Sequence, residues 1–162
     1  MTVTIRKYTP EDIPQMIRIW NEVVEDGVAF PQIECLDVES GTQFFGAQSH
    51  CGVAESESGE LLGLYILHPN NVGRCGHICN ASYAVASTSR GNHIGEALVR
   101  DSIEQGKAHG FRILQFNAVV RSNTAARRLY KKLGFTPLGV IPNGFLSKNS
   151  EYVDIVPYYI EF

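Results

Sequence analysis

From residue 13 to residue 24 the apolar side chains Ile13, Met16, Ile17, Trp20, Val23 and Val24 recur at intervals of three and four. That spacing puts them on one face of a helix. Thr9-Pro10-Glu11-Asp12 supplies its start as an N-cap, a proline at the first helical position and acids in the first turn. The helix is expected to stop near Gly27, after a first strand over residues 3–8. A second short helix is expected from about Asp37 to Gly46, with Phe44 and Phe45 facing inward. Residues 51–55 and 61–67 read as strands joined by Ser56-Glu57-Ser58-Gly59-Glu60 in a hairpin. A strand over 77–85 then leads through a loop at Arg90 into a helix ending at Gly110. An apolar strand over 112–119 and a helix over 123–133, closed by Gly134, follow. Two last strands, near 136–141 and 152–160, flank a loop containing Pro142-Asn143-Gly144.

Hairpins mixed with strand-helix-strand crossovers imply a mixed sheet covered by helices, an α/β (α+β) fold. With 162 residues the chain reads as one domain, 1–162, able to bury a full core. A net charge of −3 gives no footprint for nucleic acid or an anionic membrane surface. Arg127-Arg128 and Lys131-Lys132 read as the solvated face of their helix. No signal-peptide pattern and no spanning apolar run is present, so a cytoplasmic location is expected. Cys35, Cys51, Cys75 and Cys79 are then expected to be thiols. Cys75-x-His77-x-Cys79 lacks the pairwise spacing of zinc knuckles, so no metal is expected.

Two segments carry chemistry. Arg90-Gly91-Asn92-His93-Ile94-Gly95-Glu96 opens a helix directly after a strand, where free N–H groups and the helix dipole can receive a pyrophosphate. Arg90 could pair with a phosphate or stay solvated, and the His93 ring could donate to it or turn outward. Asn123, Ala126 and Tyr130 stand at i, i+3 and i+7 on one helical face. Tyr130 is the candidate acid, because a phenol (pKa about 10) stays protonated at neutral pH. The bland alternative makes Asn123 a cap and Tyr130 a core residue. Asn80 and Asn117 interrupt apolar strands. Buried amides need partners, so they either satisfy backbone at a sheet bulge or hold a substrate.

Both segments resemble the GCN5-related N-acetyltransferase (GNAT) superfamily. Its pyrophosphate loop reads Gln/Arg-x-x-Gly-x-Gly/Ala, here with His93 at the first glycine. Its later helix often reads Asn-x-x-Ala-x-x-Leu-Tyr-x-x-x-Gly-Phe, matched from Asn123 to Phe135. The resemblance implies a mostly antiparallel seven-stranded sheet with about four helices, splayed between its fourth and fifth strands where acetyl-CoA enters. It implies backbone donors on the fourth strand around Ser82, with Tyr83, Ala84 and Val85 at the coenzyme, and a homodimer.

A narrower similarity joins Gly73-Arg74-Cys75-Gly76-His77-Ile78-Cys79-Asn80-Ala81, Phe116-Asn117 and Ser122-Asn123 to yeast acetyltransferases that detoxify azetidine-2-carboxylate, a proline analogue. In those enzymes asparagines matching Asn80 and Asn117 contact or orient the imino acid and one matching Asn123 lies at the coenzyme, which implies coenzyme contact for the face of Asn123, Ala126 and Tyr130, while an indole stands where this chain has Tyr130. The N-terminus, Thr4-Ile5-Arg6 through Ile19-Trp20-Asn21-Glu22-Val23-Val24 to Ala29-Phe30, looks like the phosphinothricin and methionine-sulfoximine acetyltransferases. The expected activity is acetyl transfer from acetyl-CoA to a small amino or imino acid in a ternary complex, with water positioned by Asn117 carrying the amine proton. Glu22 and Glu34 are weaker base candidates. A peptide N-terminal acetyltransferase, favoured by an open groove between the first two helices and the last loop, and a non-catalytic acyl-CoA-binding module are the rivals.

Overall fold

The computed structural model describes residues 1–162. Strands β1 (Val3–Lys7), β2 (His50–Ser56), β3 (Leu61–Pro69) and β4 (Ile78–Val85) run antiparallel in that order. Strand β5 (Ile113–Val120) lies parallel to β4, but the two pair only at Ile78–Ile113 and Cys79–Leu114. Beyond those pairs they diverge, which is the expected splay. Strand β8 (Tyr152–Glu161) returns antiparallel to β5, with β6 (Thr136–Pro137) and β7 (Ile141–Leu146) on its other side.

The sheet therefore has eight strands, not the seven expected. The single strand expected over 136–141 is broken after Pro137, which has no N–H for a ladder, and Gly139 adopts φ 121°. Pro142-Asn143-Gly144, expected in a loop, instead lies inside β7 as a bulge, because Ile141 faces Ile155 while Phe145 already faces Val153. Asn143 takes φ 56°, and its N–H donates to Asp154 Oδ1 at 3.1 Å. A Cβ on Gly144 would sit 2.5 Å from the Ile155 side chain, so this turn-forming triplet serves close packing in an edge strand.

Four helices cover the sheet: α1 (Ile13–Asp26), α2 (Val38–Gly46), α3 (Ile94–Ala108) and α4 (Thr124–Lys132). Residues Pro10–Asp12 form a 3-10 turn, so α1 begins later than the capping pattern suggested; Asp12 Oδ2 accepts from Thr9 N–H at 2.8 Å. Gly27, Gly110 and Gly134 end their helices with positive φ, where glycine has no Cβ penalty. Asp37 caps α2 by accepting from Ser40 N–H at 2.8 Å. Helices α1 and α2 pack Met16, Ile19, Trp20 and Phe45 on one face of the sheet; α3 packs Ile94, Leu98 and Val99 on the other, where α4 adds the half-buried Leu129 and Tyr130. No helix is long and apolar enough to cross a membrane.

The cavity side of β5 carries a bulge. Phe116 faces Tyr158 and Val119 faces Val156, so Asn117 and Ala118 together oppose Pro157. The extra residue bends the strand just beyond its last pair with β4.

Candidate active site

Divergence of β4 from β5 opens a cavity of about 300 Å³. Its walls are Asn80–Tyr83 of β4, residues 116–120 of β5, Gly95 and Val99 of α3, Asn123 with Ala126, Leu129 and Tyr130 of α4, and Ala29-Phe30-Pro31 after α1. None of these carries a formal charge. It shares Ala29, Tyr83 and Asn123 with a neighbouring recess of about 510 Å³ that also holds Asp26, Val85 and Arg90. Past Cys79, the β4 edge facing β5 has no strand partner, which leaves backbone groups there available to a ligand.

Asn80 and Asn117 both line the cavity, but their environments differ from the buried pair expected. Asn117 is exposed and Asn80 half-buried, because the bulge lifts Asn117 out of the sheet. Both amides donate to one acceptor, Asn70 Oδ1, at 3.1 Å from Asn80 Nδ2 and 2.7 Å from Asn117 Nδ2. Gln115 Nε2 donates to Asn117 Oδ1 at 3.0 Å. Neither amide serves the bulge backbone by these bonds. Asn70 is a site residue that the sequence does not announce. It stands in a polar loop, and nothing in its spacing points across the sheet.

At the start of α3, Ala97 N–H is the first to donate back, to His93 O at 3.2 Å. The N–H groups of His93, Ile94, Gly95 and Glu96 thus have no intrahelical acceptor. His93 adopts φ 60° and ψ 19°, the left-handed region, so the usual glycine here suits the backbone as well as an approaching phosphate. Gly91 takes φ 82°, and a Cβ there would meet no atom within 4 Å; a Cβ on Gly95 would meet protein only at 3.9 Å or beyond. Packing within the chain does not require Gly95 to be small, whereas a ligand lying against the cavity wall would. Asn92 Nδ2 ties the loop to Ser89 O at 3.2 Å.

Other loop residues face elsewhere. Arg90 Nη2 pairs with Asp26 Oδ2 at 3.1 Å, linking the loop to the end of α1. Glu22 accepts from Ser87 N–H at 3.0 Å, so its carboxylate braces this loop and does not line the cavity. Glu96 bridges Lys132 and Arg100, each at 2.8 Å; the Lys132 contact first, then Arg100, holds its carboxyl below the usual range. Ile94 and Ala84 are core residues, leaving only their backbone for any ligand.

Four phenols cluster on the α3–α4 side. Tyr65 Oη donates to Asp101 Oδ2 at 2.6 Å, Tyr83 Oη bonds Ser102 Oγ at 2.8 Å, and Tyr158 Oη accepts from Arg127 Nε at 2.9 Å. Tyr130 lines the cavity, and burial foremost, then neighbouring Tyr158, pushes its pKa up with no hydrogen bond contributing. Asn123 does cap α4, accepting from Ala126 N–H at 3.2 Å, while also lining both recesses. Cys79 donates to Ile113 O at 3.2 Å; burial pushes its thiol up to about 12. Cys75 is exposed.

A splayed mixed sheet, a helix opening with unpaired N–H groups and a cavity joining the two define an acyl-transfer fold. The chain belongs to the acetyltransferase (GNAT) family, whose model matches residues 16–135. It is 32% identical over 143 residues to the N-acetyltransferase aca1 of Schizosaccharomyces pombe, covering 88% of this chain and 68% of that protein. It is 28% identical over 149 residues to the L-methionine sulfoximine/L-methionine sulfone acetyltransferase of Pseudomonas paraeruginosa, covering 88% and 85%. The fold matches a phosphinothricin acetyltransferase from Sinorhizobium meliloti solved in complex with acetyl-CoA, with a TM-score of 0.91 and 21% identity over 100% of this chain and 89% of that one.

Proposed function

We propose that this protein transfers the acetyl group of acetyl-CoA to the amino group of a small amino or imino acid by direct attack in a ternary complex. The observation that carries the reading is the uncharged cavity between β4 and β5, walled by Asn80, Asn117 and Tyr130 and reaching the opening of α3 at Gly95. The free N–H groups opening α3, on residues 93–96, and Arg90 fit a pyrophosphate. The unpaired edge of β4 around Tyr83, Ala84 and Val85 fits an acyl-pantetheine arm and can supply the oxyanion donor. Acetyl-CoA supplies the activated thioester.

A cavity without carboxylates disfavours an ammonium ion, because burying a cation without a partner is costly. The acceptor therefore reacts as the neutral amine, its proton leaving through water held near Asn117. Its lone pair forms a bond to the thioester carbonyl carbon, giving a tetrahedral oxyanion at the β4 edge, and collapse of that adduct breaks the carbon–sulfur bond. Sulfur leaves as thiolate and takes a proton from Tyr130, whose phenolate is reprotonated through water by the proton that the amine gives up. Burial keeps that phenol protonated at neutral pH, and its freedom from protein hydrogen bonds leaves its proton for the leaving group.

Small amino acids are favoured by the relatives' named substrates and by a contact between the last loop and the first helix. The turn after β7 docks on the end of α1, where Lys148 N–H donates to Gly27 O at 3.0 Å. That contact opposes the open groove a peptide acceptor needs. We place the enzyme in the cytoplasm as a homodimer. The test is free CoA release with azetidine-2-carboxylate, L-methionine sulfone, phosphinothricin and a peptide N-terminus as acceptors. Turnover of one or more of the small acids is expected, and turnover confined to the peptide would overturn the reading.

A further inference from the structure

Where the backbone pairing of β4 and β5 ends, side chains take it over. The last ladder pair is Cys79–Leu114, and from the next residue of β4 onward the two strands are joined through Asn70. Its own backbone is pinned by Asn70 N–H donating to Ile78 O at 2.8 Å, so the side chain leaves a fixed point just beyond β3. Asn70 Oδ1 then receives Asn80 from one side of the splay and Asn117 from the other. A carbonyl oxygen has two lone pairs, and both are used. Asn70 Nδ2 donates to nothing in the chain, and Asn70 does not line the cavity.

This geometry fixes which ends of the two amides face a ligand. With Asn80 Nδ2 held outward, its Oδ1 has no protein partner and is free to accept an N–H. With Asn117 Oδ1 occupied by Gln115 and one Nδ2 hydrogen by Asn70, the second hydrogen is free to donate to a carboxylate. One acceptor and one donor across a narrow gap match the amine and carboxylate of an α-amino or imino acid. We infer that Asn70 is a positioning residue, a shared acceptor that orients Asn80 and Asn117 toward an α-amino or imino acid without touching it; this rests on the function proposed above.

Because only the oxygen is used, Asn70→Asp keeps the device while Asn70→Ala and Asn70→Leu remove it. Released amides can rotate, and each misdirected hydrogen bond is worth about 1 kcal/mol, which is about fivefold in affinity for one lost and about thirtyfold for both. Steady-state kinetics would use azetidine-2-carboxylate and L-methionine sulfone as acceptors with acetyl-CoA as donor. Asn70→Ala and Asn70→Leu are expected to raise the acceptor KM about tenfold or more, leaving the acetyl-CoA KM and the Tm in place. Asn70→Asp is expected to recover to within about threefold of wild type. An Asn70→Asp enzyme as impaired as Asn70→Ala, or acetyl-CoA KM rising in parallel with acceptor KM, would overturn the inference. So would an unaltered Asn70→Ala in a wild type that acetylates these acids. A wild type inactive on every small acid would instead overturn the proposed function and this inference with it.

Discussion

The two faces of the sheet are built from different materials. Under α1 and α2 lie fifteen buried apolar residues, among them Trp20, Met16, Phe45 and Leu64, with the single phenol of Tyr8 packed against them. Under α3 and α4 the core includes Tyr65 and Tyr158, with Tyr83 and Tyr130 packed against it. Three of those phenols have protein partners, as buried polar groups require. Tyr130, facing the cavity, has none. One face is therefore an almost wholly apolar support, and the other is a polar core left incomplete at Tyr130, where the proposed reaction needs a proton.

If the faces are separable, a hole in the apolar one should lower stability and spare the reaction. Phe45 is 1% exposed and packs on Phe44 with ring centroids 5.4 Å apart. Phe45→Ala is expected to cost about 3–5 kcal/mol of unfolding free energy, read by urea denaturation. The kcat of the enzyme that stays folded at low temperature should remain at the wild-type value. A matching fall in kcat would show that the two faces act as one unit.

The opposite signature is expected from Tyr130→Phe. Removing a hydroxyl that makes no protein hydrogen bond should leave the Tm within a degree or two of wild type, while kcat falls on the order of 10- to 1000-fold. The loss should exceed any rise in KM, since a proton given to departing sulfur matters in the transition state. A wild-type kcat would assign that protonation to water and make Tyr130 a cavity wall only.

The contrast between the faces also marks what could be read from sequence. The α1 face was legible in outline, because a three-and-four periodicity reports one buried helical face and Gly27 reports its end, but the fully buried Ile19 falls outside the positions that the spacing picked. The α4 face was legible for the same reason, through Asn123, Ala126 and Tyr130. Long-range side-chain geometry was not. Asn70 meets partners 10 and 47 residues away, and no local pattern encodes such a meeting. The exposure of Asn117 follows from the bulge in the pairing of β5 with β8, which a strand read alone cannot show. Pro142-Asn143-Gly144 was misread because turn residues also build bulges, and only pairing with β8 tells the two apart. At His93 the sequence showed a missing glycine, whereas the backbone shows why glycine is usual there: a positive φ.

The smallest effect concerns one of the two places where α1 touches the loop before α3, the other being Glu22 on Ser87 N–H. Arg90 and Asp26 pair at 3.1 Å with side chains 55% and 49% exposed, and such pairs contribute about 0–1 kcal/mol. Asp26→Asn should therefore barely move the Tm of the free protein. Binding is another matter, because both side chains line the recess beside the α3 N-terminus. An incoming pyrophosphate draws on Arg90 and meets repulsion from Asp26. Arg90→Ala is expected to weaken acetyl-CoA binding and Asp26→Asn to tighten it, each by roughly two- to fivefold at low salt, with both effects shrinking as ionic strength rises. Isothermal titration at two salt concentrations reads both. Should Asp26→Asn instead weaken binding as much as Arg90→Ala, the carboxylate would be holding Arg90 in place for the phosphate. The end of α1 would then belong to the catalytic face as well as to the support.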